Sequence, residues 1–328
     1  MSAKQITPQG QVAMDALRRF YPQVSIKRLS EYLCEMHKGM FSSYTVARDI
    51  LRWYAKLRLD GHGYKSKHVI VPSYEFMPAP HHVRREDFIL PRGKYGILPD
   101  AHVPYHERKP IEVALQWFRD EKITGLLIPG DLQDCSACSY WPATGKRDFP
   151  AEVEDVIDFL DMLRANFPKV SIIWQRGNHE DRLEQYYRAF APQLASLPTS
   201  DMETVLCLKM RHITLLARKQ KVQLHKLSIL HGHEMKGGYS PVSASRWALL
   251  KARSCVAVAH FHQTSQQPAN TLDGTDLTAF SFGCLCDKQP DYNPYGNSWN
   301  WGAAILDYDG HDWEMDNRRI LPTGRLVT

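Results

Sequence analysis

The chain has 328 residues, and none of its apolar runs approaches the roughly 18 residues that a membrane span needs. Its first residues, MSAKQITPQGQ, lack the apolar core of a secretory signal. Cysteine is scarce and its count, 7, is odd, which argues against a disulfide framework and for a reducing compartment. These absences exclude membrane-embedded and disulfide-stapled secreted classes. The expectation is a soluble, cytoplasmic protein with no membrane partner, and the sequence carries no signal of oligomeric state. Acidic residues are scarce only locally. Residues 1–68 hold 5 Asp/Glu against 12 Lys/Arg, a balance of +7, whereas the remainder holds 31 acidic against 29 basic residues, a balance of −2. A basic segment joined to a near-neutral body predicts two parts with different partners.

In the basic segment, Thr7-Pro8 reads as a helix start, a cap followed by proline in the first turn, with the helix ending near Pro22. A second helix starts around Ser25 and carries Ile26, Leu29, Leu33 and Met36 at helical spacing. Ser42 or Ser43 caps a third, whose apolar face is predicted to be Val46, Ile50, Leu51, Tyr54 and Leu57. Three short helices with a basic last one are similar to a helix-turn-helix unit, with Arg48, Arg52 and Lys56 as the nucleic-acid-facing residues. Asp60-Gly61-His62-Gly63 would then turn a wing-like hairpin. The competing reading is a helical cap or assembly module whose basic residues are a solvated face. The predicted boundaries are a helical domain over 1–68, a proline-rich linker over 69–92 that contains His81-His82, and a catalytic domain over 93–328.

From Lys94 onward the pattern is strand, polar cluster, helix, repeated. KYGILP runs into Asp100-Ala101-His102, TGLLIPG into Asp131, and KVSIIWQR into Gly177-Asn178-His179-Glu180-Asp181. Later, HKLSIL runs into His231-Gly232-His233 and SCVAVA into His260-Phe261-His262. Alternating strands and helices predict an α/β sheet, and in such sheets the site lies beyond the carboxyl ends of the strands. Residues two apart on a strand point to one face, so Asp100 with His102, and His260 with His262, are expected to reach a common centre. Any one cluster is weak, since a lone histidine at a strand end is usually structural and a lone Gly-Asp is usually a turn. Five clusters in this order are not. Oxygen and imidazole donors without thiolates suit Mn²⁺, Fe or Zn²⁺. The pair Cys135/Cys138 has no matching second pair at zinc-ribbon spacing, and Cys284/Cys286 reads as burial on a strand.

The ordered set DAH (100–102), GDLQD (130–134), GNHED (177–181), HGH (231–233) and AHFH (259–262) resembles the calcineurin-like metallophosphoesterases over roughly residues 93–310, with Ala259 where that family usually has glycine. The resemblance implies a four-layer α-β-β-α sandwich. The late segments LTAFSFGCLC, WGAAILDYDG and HDWEMDN are then expected in its second sheet. It implies two divalent cations, Mn²⁺ favoured with Fe or Zn²⁺ as alternatives. The first would be held by Asp100, His102 and His262, and the second by Asn178, His231 and His260, with Asp131 bridging. His231 is preferred to His233 for the lone-histidine role because glycine follows it. His179 would be a proton donor rather than a ligand, and Asp134 the partner that orients a histidine. Arg182, and less strongly Arg176, would hold phosphate, the alternative being ion pairs with Glu180 or Asp181.

The implied reaction is hydrolysis of a phosphate ester by a metal-activated hydroxide. In GNHEDRLEQY and GCLCDKQPDY the layout is similar to phosphoesterases encoded by phages and prophages and related to DNA-repair exonucleases, which predicts a nuclease in a bacterial cell. The alternatives are a phosphomonoesterase or small-nucleotide phosphodiesterase with an unrelated helical module, and a DNA-binding protein whose phosphoesterase body is regulatory. The aromatic loop DYNPYGNSWNWG either stacks bases or packs a sheet.

Overall fold

The computed structural model describes residues 6–21, 23–59, 85–140, 148–197, 200–235 and 242–328. The chain divides into two compact units, Met1–Val83 and Arg84–Thr328. The expected hairpin at 60–63, and the pair His81-His82, lie outside the described residues.

The described part of the first unit holds helices α1 (Pro8–Phe20), α2 (Ile26–Met36) and α3 (Tyr44–Leu59). Each starts at a hydroxyl cap, with Thr7, Ser25 and Ser43 accepting from the amides of Gly10, Arg28 and Val46 at 3.1, 3.4 and 3.3 Å. Their shared core contains Ala13, Leu17, Phe20, Leu29, Leu33, Ala47, Leu51 and Ala55. Of the predicted α3 face, Leu51 is in this core and Ile50 and Tyr54 pack against it, while Ala47 and Ala55 join it unpredicted and Val46 does not. The small residues Ala47 and Ala55 flank Leu51 at four-residue spacing and let the helices approach, while Val46 is left 37% exposed. Met36, expected inside, is 63% exposed. Arg52 and Lys56 face solvent, and Arg48 lies over the Tyr44 ring at 5.7 Å.

The second unit is a layered α/β sandwich. One sheet has the order β13-β12-β11-β2-β3-β4-β5, from β2 (Gly93–Ile97), β3 (Gly125–Ile128), β4 (Ser171–Trp174), β5 (Ile213–Leu215), β11 (Gly302–Tyr308), β12 (Trp313–Ile320) and β13 (Leu326–Val327). The other has the order β1-β6-β7-β8-β10-β9, from β1 (Phe88–Ile89), β6 (Val222–Leu224), β7 (Leu227–Leu230), β8 (Val256–Val258), β9 (Ser265–Asn270) and β10 (Asp276–Ser281). Strands β2 to β5 are mutually parallel, as are β7, β8 and β10. Alternate residues serve the two faces. Ile97, Leu127 and Ile173 meet Leu224, Ile229, Ala257 and Phe280 between the sheets. Leu126, Ile128, Ile172 and Trp174 instead pack outward against helices α4 (Arg108–Asp120) and α5 (Phe149–Asn166). Helices α6 (Asp181–Phe190) and α7 (Met202–Val205) follow β4, and α8 (Ala244–Ala252) covers the outer face of β8 and β10.

Two expectations are corrected. The linker does not extend to residue 92: Phe88 and Ile89 pair in parallel with Val222 and Gln223, and Leu90 is buried between the sheets. Likewise WGAAILDYDG and HDWEMDN do not join the second sheet. β11 pairs antiparallel with β2, Ala304 opposite Ile97, and β12 turns back on β11, so both extend the first sheet past its parallel run. Of LTAFSFGCLC, residues 277–281 enter the second sheet within β10, while Cys284 and Cys286 lie past the strand in isolated bridges to Trp301 and His106.

Candidate metal centre

The carboxyl ends of β2, β3 and β4 in one sheet and of β7 and β8 in the other open on the same side, and each is followed by one of the polar clusters. The ligand-bearing residues are not on extended strand, as the two-residue spacing had suggested. Asp100, His102, Asp131, His260 and His262 have φ of 44°, 50°, 50°, 65° and 56°, the left-handed region that non-glycine residues seldom occupy. Sharp turns, not the strand pleat, aim these side chains, and they bring Asp100 and His102 to one group but send His260 and His262 to different ones. Such backbone strain is held where the surroundings over-determine it.

Glycine at 130 and 177 lets two of these turns touch. A Cβ on Gly130 would stand 2.4 Å from His231 Nδ1, and one on Gly177 would stand 2.2 Å from Asp131 Oδ1. The buried carboxylate of Glu180 then staples the turns, accepting from the amides of Gly177, Asp131 and Gln133 at 2.7, 3.0 and 3.1 Å. Burial first, and then the Asp131 charge, push Glu180 up to about 7, against the pull of His231 and these amides. Glu152 does the same for the next loop, accepting from Gln133 Nε2 and the amides of Cys135 and Ser136. Sequence reading gave neither glutamate a role. The only signal for Glu180 is its place inside GNHED, and Glu152 has none, being one acid among several on α5.

Asp131 is the hinge of the site. Its Oδ1 accepts from the His179 amide at 2.9 Å, which leaves Oδ2 facing His231 Nε2 at 3.1 Å and the Nε2 atoms of His102 and His179 at 3.8 Å each. On one side, His102 Nε2 meets His262 Nε2 at 3.3 Å, and His262 Nε2 lies 3.5 Å from Asp100 Oδ1. On the other, His231 Nε2 lies 3.0 Å from Asn178 Oδ1, with the His260 ring centred 5.1 Å from that of His231. Asp100–His102–Asp131 and Asp131–His231–His260 each bring one donor atom per residue within 4.8 Å of one another. The predicted ligands thus fall into two groups joined at Asp131.

The donor set fits a cation. His231 Nδ1 is taken up by the Pro129 carbonyl at 2.9 Å, so its Nε2 turns a lone pair toward the acceptors Asp131 Oδ2 and Asn178 Oδ1. Three acceptors converging on one point require a proton or a metal between them. Burial alone would lower His231, but the Asp131 carboxylate outweighs it and raises it to about 10. For His260, desolvation first and then the neighbouring His231 charge lower it to about 3, against the pull of Asp131 and Asp100. His262, also buried, is raised to about 10 by Cys284 and Asp100.

His179 sits at the mouth. Its Nδ1 is 3.1 Å from Asp134 Oδ2 and 2.9 Å from the Asp134 carbonyl, so Nε2 faces Asp131. Burial would lower His179, but Asp131 and Asp134 outweigh it and raise it, with Arg182 opposing. Asp134 also holds His102 Nδ1 at 3.0 Å, so one carboxylate orients two imidazoles. Arg182 donates to the Asp134 carbonyl at 2.9 Å and lies 3.0 Å from His179 Nε2, inside the site.

Arg176 and Cys286 depart from expectation, while His233 stays outside the ligand groups, in line with the preference for His231. Arg176 turns away, reaching Asp201 at 3.5 Å and lining a separate cleft with Glu184, Arg188 and Ser200. The strand ahead of it has already delivered its side chain to the other side of the turn. Neither ring nitrogen of His233 has a hydrogen-bond partner, and its ring lies 5.3 Å from that of His231, outside both ligand groups. A thiol is present after all: Cys286 Sγ lies 4.0 Å from His262 Nδ1, held neutral because burial pushes it up.

Comparison with known proteins agrees with this geometry. The family model for calcineurin-like phosphoesterases matches residues 93–303. No curated protein matches the chain. Solved structures similar to it include Yfce, a phosphoesterase from E. coli (18% identity, TM-score 0.36, covering 72% of this chain and 97% of that one). A metallophosphoesterase from Sphaerobacter thermophilus is 14% identical, with a TM-score of 0.37, covering 69% and 88%. Vps29 complexed with zinc from Entamoeba histolytica is 12% identical, with a TM-score of 0.37, covering 71% and 96%. With the family model spanning most of the chain and the site built as described, the chain belongs to the calcineurin-like phosphoesterases and is a metal-dependent phosphoesterase.

Proposed function

We propose that the protein hydrolyses phosphodiesters in DNA. The observation that supports this most is Asp131 Oδ2, which faces both halves of the ligand cluster while His179 Nε2 stands 3.8 Å away. Asp100, His102 and His262 would hold one cation, and Asn178, His231 and His260 the other, with Asp131 shared by both groups. Two divalent cations in such a site activate water and offset charge at phosphorus. A donor set of carboxylate, amide and imidazole suits Mn²⁺, Fe or Zn²⁺, and of these we take Mn²⁺. His179, fixed through Nδ1 by Asp134, donates a proton from Nε2 to the leaving oxygen. Arg182 supplies positive charge beside it for a phosphoryl oxygen.

The basic helical unit favours DNA over a small ester. Arg52 and Lys56, with Arg48 one turn earlier, lie along α3 and supply the phosphate contacts of a helix-turn-helix-like module. The domain plan that goes with this is a DNA-binding module ahead of the catalytic sandwich, in a bacterial cytoplasm and of phage or prophage origin. The test is Mn²⁺-dependent hydrolysis of a phosphate monoester, a diester, and single- and double-stranded DNA, with His179→Ala and Asp131→Ala as controls. Cleavage of diester and DNA that both variants abolish is expected. Monoester hydrolysis with DNA left intact would make the protein a phosphatase.

A further inference from the structure

The loop between β10 and β11 returns across the metal centre and is braced at both ends. At its exit, the Asn300 amide donates to the His262 carbonyl at 2.8 Å, and Asn300 Oδ1 accepts from the Thr264 amide at 3.1 Å. At its entrance, the Asp287 amide donates to the carbonyl of Tyr105, just past the His102 turn, at 2.9 Å. Inside the loop, Asn297 Nδ2 donates to the carbonyls of Lys288 and Asn293 at 2.7 and 2.9 Å, and its Oδ1 accepts from the Trp299 amide at 3.2 Å. Trp301 Nε1 donates to the Cys286 carbonyl at 2.9 Å, with Lys288 Nζ 4.0 Å above its ring. A segment tied in this way keeps its shape without help from a ligand.

What it holds is a run of rings leading outward from a candidate ligand. Trp299 stands edge-on to His262 with centroids 4.1 Å apart, and Tyr292 stands edge-on to Trp299 at 6.2 Å. Trp299 is partly open and Tyr292 is 72% exposed. Desolvation, and then the charges of Cys286, Asp134 and Asp131, push the Tyr292 hydroxyl above its ordinary value, with Arg182 opposing. Most of the Tyr292 side chain stays open to solvent, one ring away from His262 through Trp299. An aromatic side chain bared beside a polar site, on a loop that fixes its position, is a ready surface for a flat apolar ring.

The geometry points to Tyr292 and Trp299 as the platform on which a nucleobase next to the scissile phosphate stacks, so that these residues select esters bearing bases over esters of sugars or polyols. This rests on the phosphodiesterase reading above. Stacking is tolerant of base identity, because every base has a π face, so the platform confers preference for nucleotides without a preferred sequence.

The experiment compares a dinucleoside monophosphate with its fully abasic counterpart, which is identical at phosphorus, using the full chain with Mn²⁺. The wild type is expected to favour the base-bearing diester in kcat/KM. Tyr292→Ala should cut that preference about tenfold, chiefly through KM, and Tyr292→Phe should retain it to within about twofold. A preference that stays the same in Tyr292→Ala, or a wild type with none, overturns the platform. If neither diester is cleaved, the phosphodiesterase reading falls by itself. The same ratio, measured with thymidine 5′-phosphate against abasic deoxyribose 5-phosphate, then decides the platform.

Discussion

The two units differ in what they bury. In the helical unit, Ser30 is the one polar residue buried among the described residues, and the core is otherwise alanine, leucine and phenylalanine. In the catalytic unit, Asp100, His102, Asp131, Glu152, His179, Glu180, Asp181, His231 and His262 are all buried. Charge taken out of water is costly unless it is paired or hydrogen-bonded. The catalytic unit meets that cost with networks in which one carboxylate serves several partners, Glu180 accepting from three amides and Asp134 orienting two imidazoles. The helical unit is held by apolar packing and hydroxyl caps and carries its charged side chains outside that core. A region held together by packing tolerates changes of surface charge, whereas one held together by shared carboxylates does not.

Removing the shared group should have the largest effect. Asp131→Ala is expected to abolish hydrolysis and to lower the bound metal, read as turnover and as metal content after dialysis. His179→Ala should leave metal content intact while lowering kcat roughly 10²- to 10⁴-fold, the usual worth of a positioned proton donor. Equal metal loss in both variants would make His179 a ligand. Asp134→Asn loosens both His102 and His179 and should cost roughly 10- to 100-fold in metal affinity or activity. On the other side of the comparison, Leu51→Ala should destabilise the helical unit by about 2–5 kcal/mol, measured by denaturant melting, and leave small-diester hydrolysis unchanged.

The mildest test is pH. In metal-free protein, His231 and His262 are raised from 6.5 to about 10, so the stability they contribute is complete below 6.5 and is lost as pH rises through 10. His260, lowered from 6.5 to about 3, has the opposite sense and withdraws stability as pH falls below 6.5. Chelated protein should therefore show a thermal optimum near neutrality. Added metal should remove the alkaline decline, since cation and proton compete for the same nitrogens.

Much of the site was legible because the residue types are rare in combination and the order of the clusters is rigid. DAH, GDLQD, GNHED, HGH and AHFH hold Asp100, His102, Asp131, His231 and His260, whose donor atoms the structure brings within 4.8 Å in two groups, whereas Cys286 beside His262 lies outside every motif. On α3, the spacing picks out Leu51, Ile50 and Tyr54 correctly but misses Ala47 and Ala55 and takes Val46 in their place, because valine looks more like core than alanine does. Arg176 was misplaced for a similar reason. Adjacency to GNHED says nothing about which side of the turn a side chain leaves from, and its neighbour proved to be Asp201.

By itself, then, the sequence determined the chemistry available: which donors exist, that they follow strands, and that the basic charge lies at one end. Tertiary structure decided what those donors do. The left-handed turns aim pairs that an extended strand would have aimed differently. The two sheets bring His231 from one together with Asp131 from the other. Glu180 and Glu152 acquire their roles only where loops distant in sequence expose amides to them. The physical reason is that composition and periodicity report local preference, whereas a shared buried carboxylate depends on contacts across tens of residues, which no local pattern encodes.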